Sequence, residues 1–219
     1  MFHCIIGICS NFEFCIIEKE KVFYTQFLAT ILPVVLNTVK NNLNSLEVIY
    51  LALKILYKAV HYEVPTEIKI LTNPWMELLL LTITAENEAM HKKVDEFQHK
   101  GTQEFFYFHS KKWATRILMR YVQKHAKELI FGQPNTDNLE FARMWHQKYG
   151  PTFIESIVRQ LSVPTIKKVR YFQLKVVQGW IQDKPEMMLS YAKNFQYDLL
   201  LHYMAVTPED ERLAQDDVL

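Results

Sequence analysis

Residues 22–60 decide the fold, and they read VFYTQFLATILPVVLNTVKNNLNSLEVIYLALKILYKAV. In the first half, apolar side chains recur every four residues, which keeps them on one face of a helix; they are Phe23, Phe27, Ile31, Val35 and Val39. The second half repeats the helical spacing from Leu46 to Val60. Only residues 41–44 separate the two patterns. The segment therefore predicts two neighbouring antiparallel helices.

Local signals mark the ends of these helices and the start of the next. Pro33 lies inside the first helix and is expected to kink it. Asn44 is predicted to cap the second helix, because Glu47 three residues later completes a pattern typical of a capping box. Asn73 followed by Pro74 matches the preferences for the cap and first position of a third helix, which is predicted to end at about Thr84.

The remainder of the chain continues this helical pattern. Polar residues predict an inserted loop over 86–107, and a further acidic segment predicts a linker over 207–219. Between them the apolar spacing predicts helices over about 109–129, over 137–161 with a break at Gly150-Pro151, over 165–182 and over 185–206.

The composition also favours helices. Glycine accounts for only 5 of 219 residues, which disfavours tight hairpins, phosphate-binding loops and glycine-lined catalytic turns. Short connections within successive helix pairs predict an all-α fold, a HEAT/armadillo-like α-solenoid of antiparallel helix pairs, in one domain over 1–219 with about four pairs. A helical bundle would contain the same helices, but the pairing favours the solenoid.

The N-terminal segment is apolar without being a targeting signal. Residues 2–17 contain Glu13, lack a basic start and are too short to span a bilayer, so they predict a core helix and no membrane insertion. Three cysteines fall within this stretch, at spacings that match no zinc module; they are Cys4, Cys9 and Cys15. They predict reduced thiols in a cytosolic or nuclear protein.

Basic residues are concentrated in the second helix of each pair. Three such helices, over 45–61, 109–129 and 165–182, have twelve basic residues and two acidic ones, although the whole chain has a net charge of only +1. In a solenoid these helices lie side by side, which predicts a positive stripe. Its target would be an acidic patch of another protein, an acidic loop from elsewhere in the polypeptide or a phosphate backbone, and the alternative is a merely solvated face. The residues predicted to bind are Lys111, Lys112, Arg116, Arg120, Lys124, Lys167, Lys168, Arg170 and Lys175.

Catalytic chemistry is not indicated. His91 and His99 flank acidic residues, but their spacing is not that of a metal site, so they are interpreted as solvated loop residues. No nucleophile elbow accompanies the serine and aspartate residues. The sequence predicts a protein that is not an enzyme and that has no metal, cofactor or small-molecule substrate, and its near-neutral charge disfavours nucleic acid.

Two segments resemble a known family. One is the aromatic stretch over 105–110 followed by Lys-Lys-Trp-Ala at 111–114, and the other is the acidic run over 207–217 after a helix. Both are similar to importin-β superfamily transport receptors, and within these to the importin seven and importin eight branch. The resemblance covers about residues 20–219 in order, and since family members are much longer, it implies an internal segment of a receptor.

The resemblance implies nuclear import. Such receptors bind cargo proteins in the cytoplasm, pass the nuclear pore through contacts with phenylalanine-glycine nucleoporins, and release cargo when Ran-GTP binds. The implied location is the cytoplasm and the nucleus, including the nuclear envelope. Two alternatives remain, namely the related export receptor for importin-α and a HEAT-repeat scaffold that does not pass the pore.

Overall fold

The computed structural model describes residues 1–12, 18–60, 72–94, 98–131, 143–145 and 147–183. In these ranges the protein is all-helical and has no strand, which confirms the predicted fold class. The main helices are α1 (Phe2–Phe12), α2 (Glu18–Lys40), α3 (Leu46–Ala59), α4 (Thr72–Thr84), α5 (Glu88–His91), α6 (Gln103–Phe131), α7 (Gly150–Gln160) and α8 (Lys167–Asp183). The helix predicted over 185–206, the linker over 207–219 and the start predicted at Asp137 lie outside the described residues.

The two helices of the deciding segment form as predicted, with two corrections. Ser45 rather than Asn44 caps α3, because its Oγ accepts a hydrogen bond from the Val48 backbone N–H at 3.4 Å. Phe23 was expected on the buried face but is 57% exposed, and over residues 22–40 the first buried side chain is that of Leu28. The helix continues through Pro33, whose exposed ring faces away from the core.

The inserted loop is shorter than predicted. It contains the four-residue helix α5, which Asn87 caps by accepting hydrogen bonds from the backbone N–H groups of residues 89 and 90. A turn at Gly101, where φ is +87°, leads directly into α6, and this left-handed conformation favours glycine. Because α6 begins at Gln103, the residues assigned to the end of the loop, 103–107, are helical.

The last two described helices match their predictions closely. Tyr149 interrupts the helical run as a turn, and α7 begins at Gly150 with Pro151 in its first turn, where a missing backbone N–H is tolerated. The following helix was predicted over 165–182 and is observed at Lys167–Asp183.

The helices pack around the long helix α6. It contacts α3 on one side, α8 on another and α4 on a third. Helix α3 also packs against α1 and α2, while α7 contacts α4 and α8. The largest fully buried side chains include Trp75, Trp145 and Trp180. A helix with neighbours on three sides buries most of its side chains, whatever their charge, and this determines what happens to the basic residues of α6.

Close packing between α6 and α8 makes Gly179→Ala a measurable change. A Cβ added to Gly179 would lie 3.0 Å from Val122 Cγ1, and overpacking of a filled core costs about 1–3 kcal/mol. Alanine gains about 1 kcal/mol over glycine inside a helix, so we expect a net loss of about 1 kcal/mol in the free energy of unfolding, measured by urea denaturation.

Gly7 provides the matched control. It lies on the exposed face of α1, and a Cβ there would meet nothing within 4 Å. Gly7→Ala should therefore stabilise the protein by about 0.5–1 kcal/mol. Equal stabilisation by both substitutions would contradict the close contact between α6 and α8.

Candidate functional site

The predicted basic row on α6 lies mostly inside the protein. Lys111, Lys112 and Arg116 are only 4%, 3% and 8% exposed, and Arg120 is half-buried. The expectation of a solvated row is therefore wrong for the first three residues, because α6 has neighbours on three sides. The side chain of Lys124 lies outside the described part of the chain. Binding of a partner by these residues stays a prediction.

Lys111 joins three helices through neutral acceptors. Its Nζ donates to the carbonyl oxygen of Ile83 in α4 and to Oε1 of Gln160 in α7, each at 3.1 Å. Gln160 in turn donates through Nε2 to Glu86 Oε1 at 3.1 Å. The ammonium thus lies in the core, and the carboxylate of Glu86 acts on it only across an intervening amide.

Burial changes the protonation of this lysine. It lowers the pKa of Lys111 from 10.5 to about 8, although the negative charge of Glu86 acts in the opposite direction. The phenol of Tyr107, whose ring centroid lies 5.3 Å from Lys111 Nζ, has its pKa raised to about 12, again chiefly by burial. Both groups therefore favour their neutral forms more than they would in water.

Arg116 and Arg120 are held by aromatic rings. The guanidinium of Arg116 lies 4.5 Å from the ring centroid of Tyr57 in α3, 5.5 Å from Trp113 and 5.4 Å from Phe172 in α8. Arg120 donates to the backbone oxygen of Tyr57 at 3.3 Å and to its hydroxyl. The cation–π contacts of Arg116 connect α6 to α3 and α8, and the hydrogen bonds of Arg120 connect it to α3. Both arginines thus have a packing role that their spacing alone did not indicate.

The predicted residues on α8 divide into two kinds. Arg170 ties the helix to the end of α7, because it donates to the carbonyl oxygens of Gln160 at 3.2 Å and Val163 at 2.7 Å. Lys167 is exposed, and Lys168 and Lys175 are half-exposed. Among the predicted residues on α8, Lys167 is therefore the one with an exposed side chain.

Sequence reasoning missed several polar residues of this region. Gln160 lies at the end of the buried stripe formed by Phe153, Ile154 and Ile157, and a polar residue at such a position is the signal that could have found it. Glu86 was assigned to a solvated loop, yet it bonds to Gln160 and forms an ion pair with Arg159 at 3.4 Å.

His91 is less exposed than its interpretation as a solvated loop residue implied, and it contacts α6. It is half-buried, and its Nε2 lies 3.0 Å from the hydroxyl of Tyr107, which donates to the backbone oxygen of Ala85 at 2.8 Å. Burial, followed by the charge of Lys111, lowers the pKa of His91. His99 is exposed, as expected. The histidine thus fastens the inserted segment to α6.

The described ranges contain three other features that bear on chemistry, namely their acidic and histidine residues, their cysteines and one open cleft. No group of three or more His, Cys, Asp and Glu residues is arranged there to hold a metal ion. Cys4 is exposed and Cys9 is buried, and burial raises the pKa of the Cys9 thiol; Cys15 lies outside the description. An open cleft of about 430 Å³ combines hydroxyl groups with charges of both signs, and it is lined by Thr84, Glu86, Glu155, Ser156 and Arg159.

Within the described ranges, one helix has the length and composition of a membrane span. The segment Val22–Lys40 has a mean hydropathy of 1.6, and 28% of it is buried within the structure. Core helices and signal sequences can have the same composition, so this single segment indicates little about location by itself.

Comparisons of the chain with protein-family models, curated proteins and solved structures found no match.

Proposed function

We propose that this chain is a segment of a Ran-dependent nuclear transport receptor of the importin-β kind, which acts by binding other proteins. The observation that carries the proposal is the order in which the helices pack. Helices α1, α3, α6 and α8 contact one another in succession, and α2, α4 and α7 each pack against a member of that series. Two parallel series of helices connected in pairs are typical of an α-solenoid.

The sequence that resembles the transport receptors has a position consistent with this proposal. Lys-Lys-Trp-Ala at 111–114 is buried throughout. Lys111 bonds to α4 and α7, while the Trp113 ring packs 4.7 Å from that of Tyr57 in α3. A motif with these contacts holds neighbouring helices together. Contacts of this kind stack successive helix pairs in a solenoid, which supports the proposal.

The described residues also favour a binding protein over an enzyme. Among the described residues, the lysine whose pKa is lowered to about 8 is Lys111, and its side chain is buried in the core. The exposed cations of the described residues, such as Lys40, Lys148 and Lys167, are spread over several elements rather than gathered in an enclosed pocket. Solenoids use such extended surfaces to bind partners, and a receptor of this kind would work in the cytoplasm, the nucleus and the pore.

The nucleotide dependence of Ran binding tests this function. The full-length gene product that contains this chain, incubated with immobilised Ran-GTP or Ran-GDP, should be retained selectively by the GTP form. The GDP form is the matched control, because it differs only in the bound nucleotide. A second immobilised probe, a phenylalanine-glycine repeat peptide, should retain the protein, whereas a serine-glycine repeat should not.

Two outcomes would contradict the proposal. Equal retention on both forms of Ran, or none on either, would favour a scaffold that takes no part in pore transit. Retention of a Ran-GTP complex only together with importin-α would instead support the export receptor.

A further inference from the structure

We infer that the chain forms a reversible two-fold dimer through the outward face of α1 and α2, so that a second copy of the chain covers this face. The inference does not rest on the proposed function. It rests on the burial, the charge and the area of the residues that these two helices turn away from α3.

Helices α1 and α2 lie at one end of the series of helix contacts. Both pack against α3, and they also contact each other, so the sides that they turn away from α3 face outward together. Only 28% of the segment Val22–Lys40 is buried within the structure. This layer is therefore covered on one side and open on the other.

The open side of α2 is a continuous stripe. Its exposed residues recur every three or four positions, which places them on one face of the helix. They include Gln26, Thr30, Pro33, Val34 and Asn37. The buried side chains of the helix, such as those of Leu28, Leu32 and Val35, lie on the opposite face.

This layer lacks the charge that is usual on an outer surface. Residues 1–12 and 22–39 contain no Asp, Glu, Lys or Arg, although 22% of the chain is charged. On α1 the exposed side chains include Cys4, Ile8 and Asn11, and the basic groups there are the N-terminal amine and His3. Terminal layers of stacked helices have a polar outer face that keeps them in solution. The layer of α1 and α2 therefore has the composition of a covered layer rather than of an outer one.

A second copy suits an uncharged face better than a partner with a charged surface. In a two-fold dimer each copy presents the same face to the other, so a charge near the axis would meet its like, and residues 22–39 have none. A charged partner would lose hydration here without gaining an ion pair. Gln26, Thr30 and Asn37 provide groups that can form hydrogen bonds across the interface, as ordinary interfaces do.

The same stripe suits a protein better than a lipid surface. Helices that lie on membranes combine an apolar side with Lys and Arg on the polar side. Residues 22–39 contain no such cation, and the middle of the open side is polar at Gln26, Thr30 and Asn37.

The area of the face is sufficient for a reversible dimer. The 11 residues of α1 extend over about 16 Å and residues 22–40 over about 28 Å. At about 10 Å per helix diameter, the face covers about 450 Å² on each copy and about 900 Å² in the pair. This total is at the low end of specific interfaces, so the fraction of dimer should depend strongly on concentration.

Sedimentation equilibrium of the full chain tests the inference. Between about 1 and 100 μM, the range in which a weak interface is half-occupied, the mean mass should rise from 26.0 kDa toward twice this value. The double variant Thr30→Glu with Val34→Glu brings like charges together at the axis and should weaken association by at least about tenfold.

A matched variant controls for the added charge. Thr152→Glu with Ile181→Glu also changes an exposed threonine and an exposed β-branched residue, but on α7 and α8, and its dissociation constant should stay within about twofold of the wild-type value. Far-UV circular dichroism verifies that both double variants remain helical.

A mixing experiment separates repulsion at the interface from misfolding. Thr30→Lys with Val34→Lys should also be monomeric alone, whereas an equimolar mixture of this variant with the Thr30→Glu, Val34→Glu variant should recover the dimer, because opposite charges then meet at the axis. Misfolded chains would not recover it.

Several outcomes would overturn the inference. They are a wild-type chain that stays monomeric over the whole range, an equal loss of association in the control variant, no recovery on mixing, and growth into assemblies larger than a dimer. Sedimentation of the wild-type chain with phosphatidylcholine vesicles in place of dimer formation would overturn it in favour of a lipid surface. None of these measurements involves Ran, so they fail or succeed independently of the transport proposal.

Discussion

Arg116→Glu should destabilise the protein by at least about 3 kcal/mol. The guanidinium lies over the rings of Tyr57, Trp113 and Phe172, whose faces carry partial negative charge. A carboxylate at this position would lose its hydration and be repelled by the same faces. Urea denaturation followed by circular dichroism should therefore detect a large fall in the unfolding midpoint.

Two further variants separate burial from charge. Arg116→Met keeps an apolar stem of similar length and removes a charge that is costly to bury, so we expect a loss of no more than about 2 kcal/mol. Lys167→Glu makes the same charge reversal at an exposed position of α8 and should change stability by about 0.5 kcal/mol or less. If Arg116→Glu resembled Lys167→Glu, the arginine would lie in solvent, as its spacing first suggested.

The helices themselves could be predicted because their signals are local. The apolar spacing of α3 and α8 is visible within single segments, and Gly150-Pro151 marks the start of α7 by an effect on the chain immediately beside it. The errors at Ser45 and at the start of α6 concern helix ends, where alternative caps lie one residue apart and polar residues are compatible with either loop or helix.

The environment of the basic residues could not be predicted because it depends on distant partners. Lys112, Arg116 and Arg120 repeat every four residues, a pattern typical of a solvated face. The burial of Arg116 arises from rings that stand far away in sequence, Tyr57 and Phe172, which lie next to α6 only after folding. A periodic charge pattern indicates which residues share a face, and it does not indicate what covers that face.

The number of charges on a helix is therefore a poor guide to their accessibility. Helix α6 contacts α3, α4 and α8, and Lys111, Lys112 and Arg116 are buried among these neighbours.

Lys111 should make the protein more stable as the pH rises from 8 to 10. In the folded chain the pKa of Lys111 is about 8 rather than its ordinary 10.5. The unfolded state therefore binds more protons between these values, and the free energy of unfolding increases with pH. The pKa difference corresponds to about 3 kcal/mol over the whole interval. Urea denaturation at a series of pH values measures this rise.

Lys111→Met should remove most of the rise, whereas Lys167→Met, which changes an exposed lysine, should preserve it. The test is the slope of the free energy of unfolding against pH rather than its value at one pH. In Lys111→Met the acceptors on Ile83 and Gln160 lose their partner, and this loss offsets the benefit of removing a buried charge.

Above pH 10 the slope should reverse sign. Tyr107 ionises less readily in the folded state, where its pKa is about 12, so stability should fall there. A wild-type profile that is flat between pH 8 and 10 would mean that the folded chain stabilises the ammonium of Lys111 as well as water does, and it would contradict the lowered pKa.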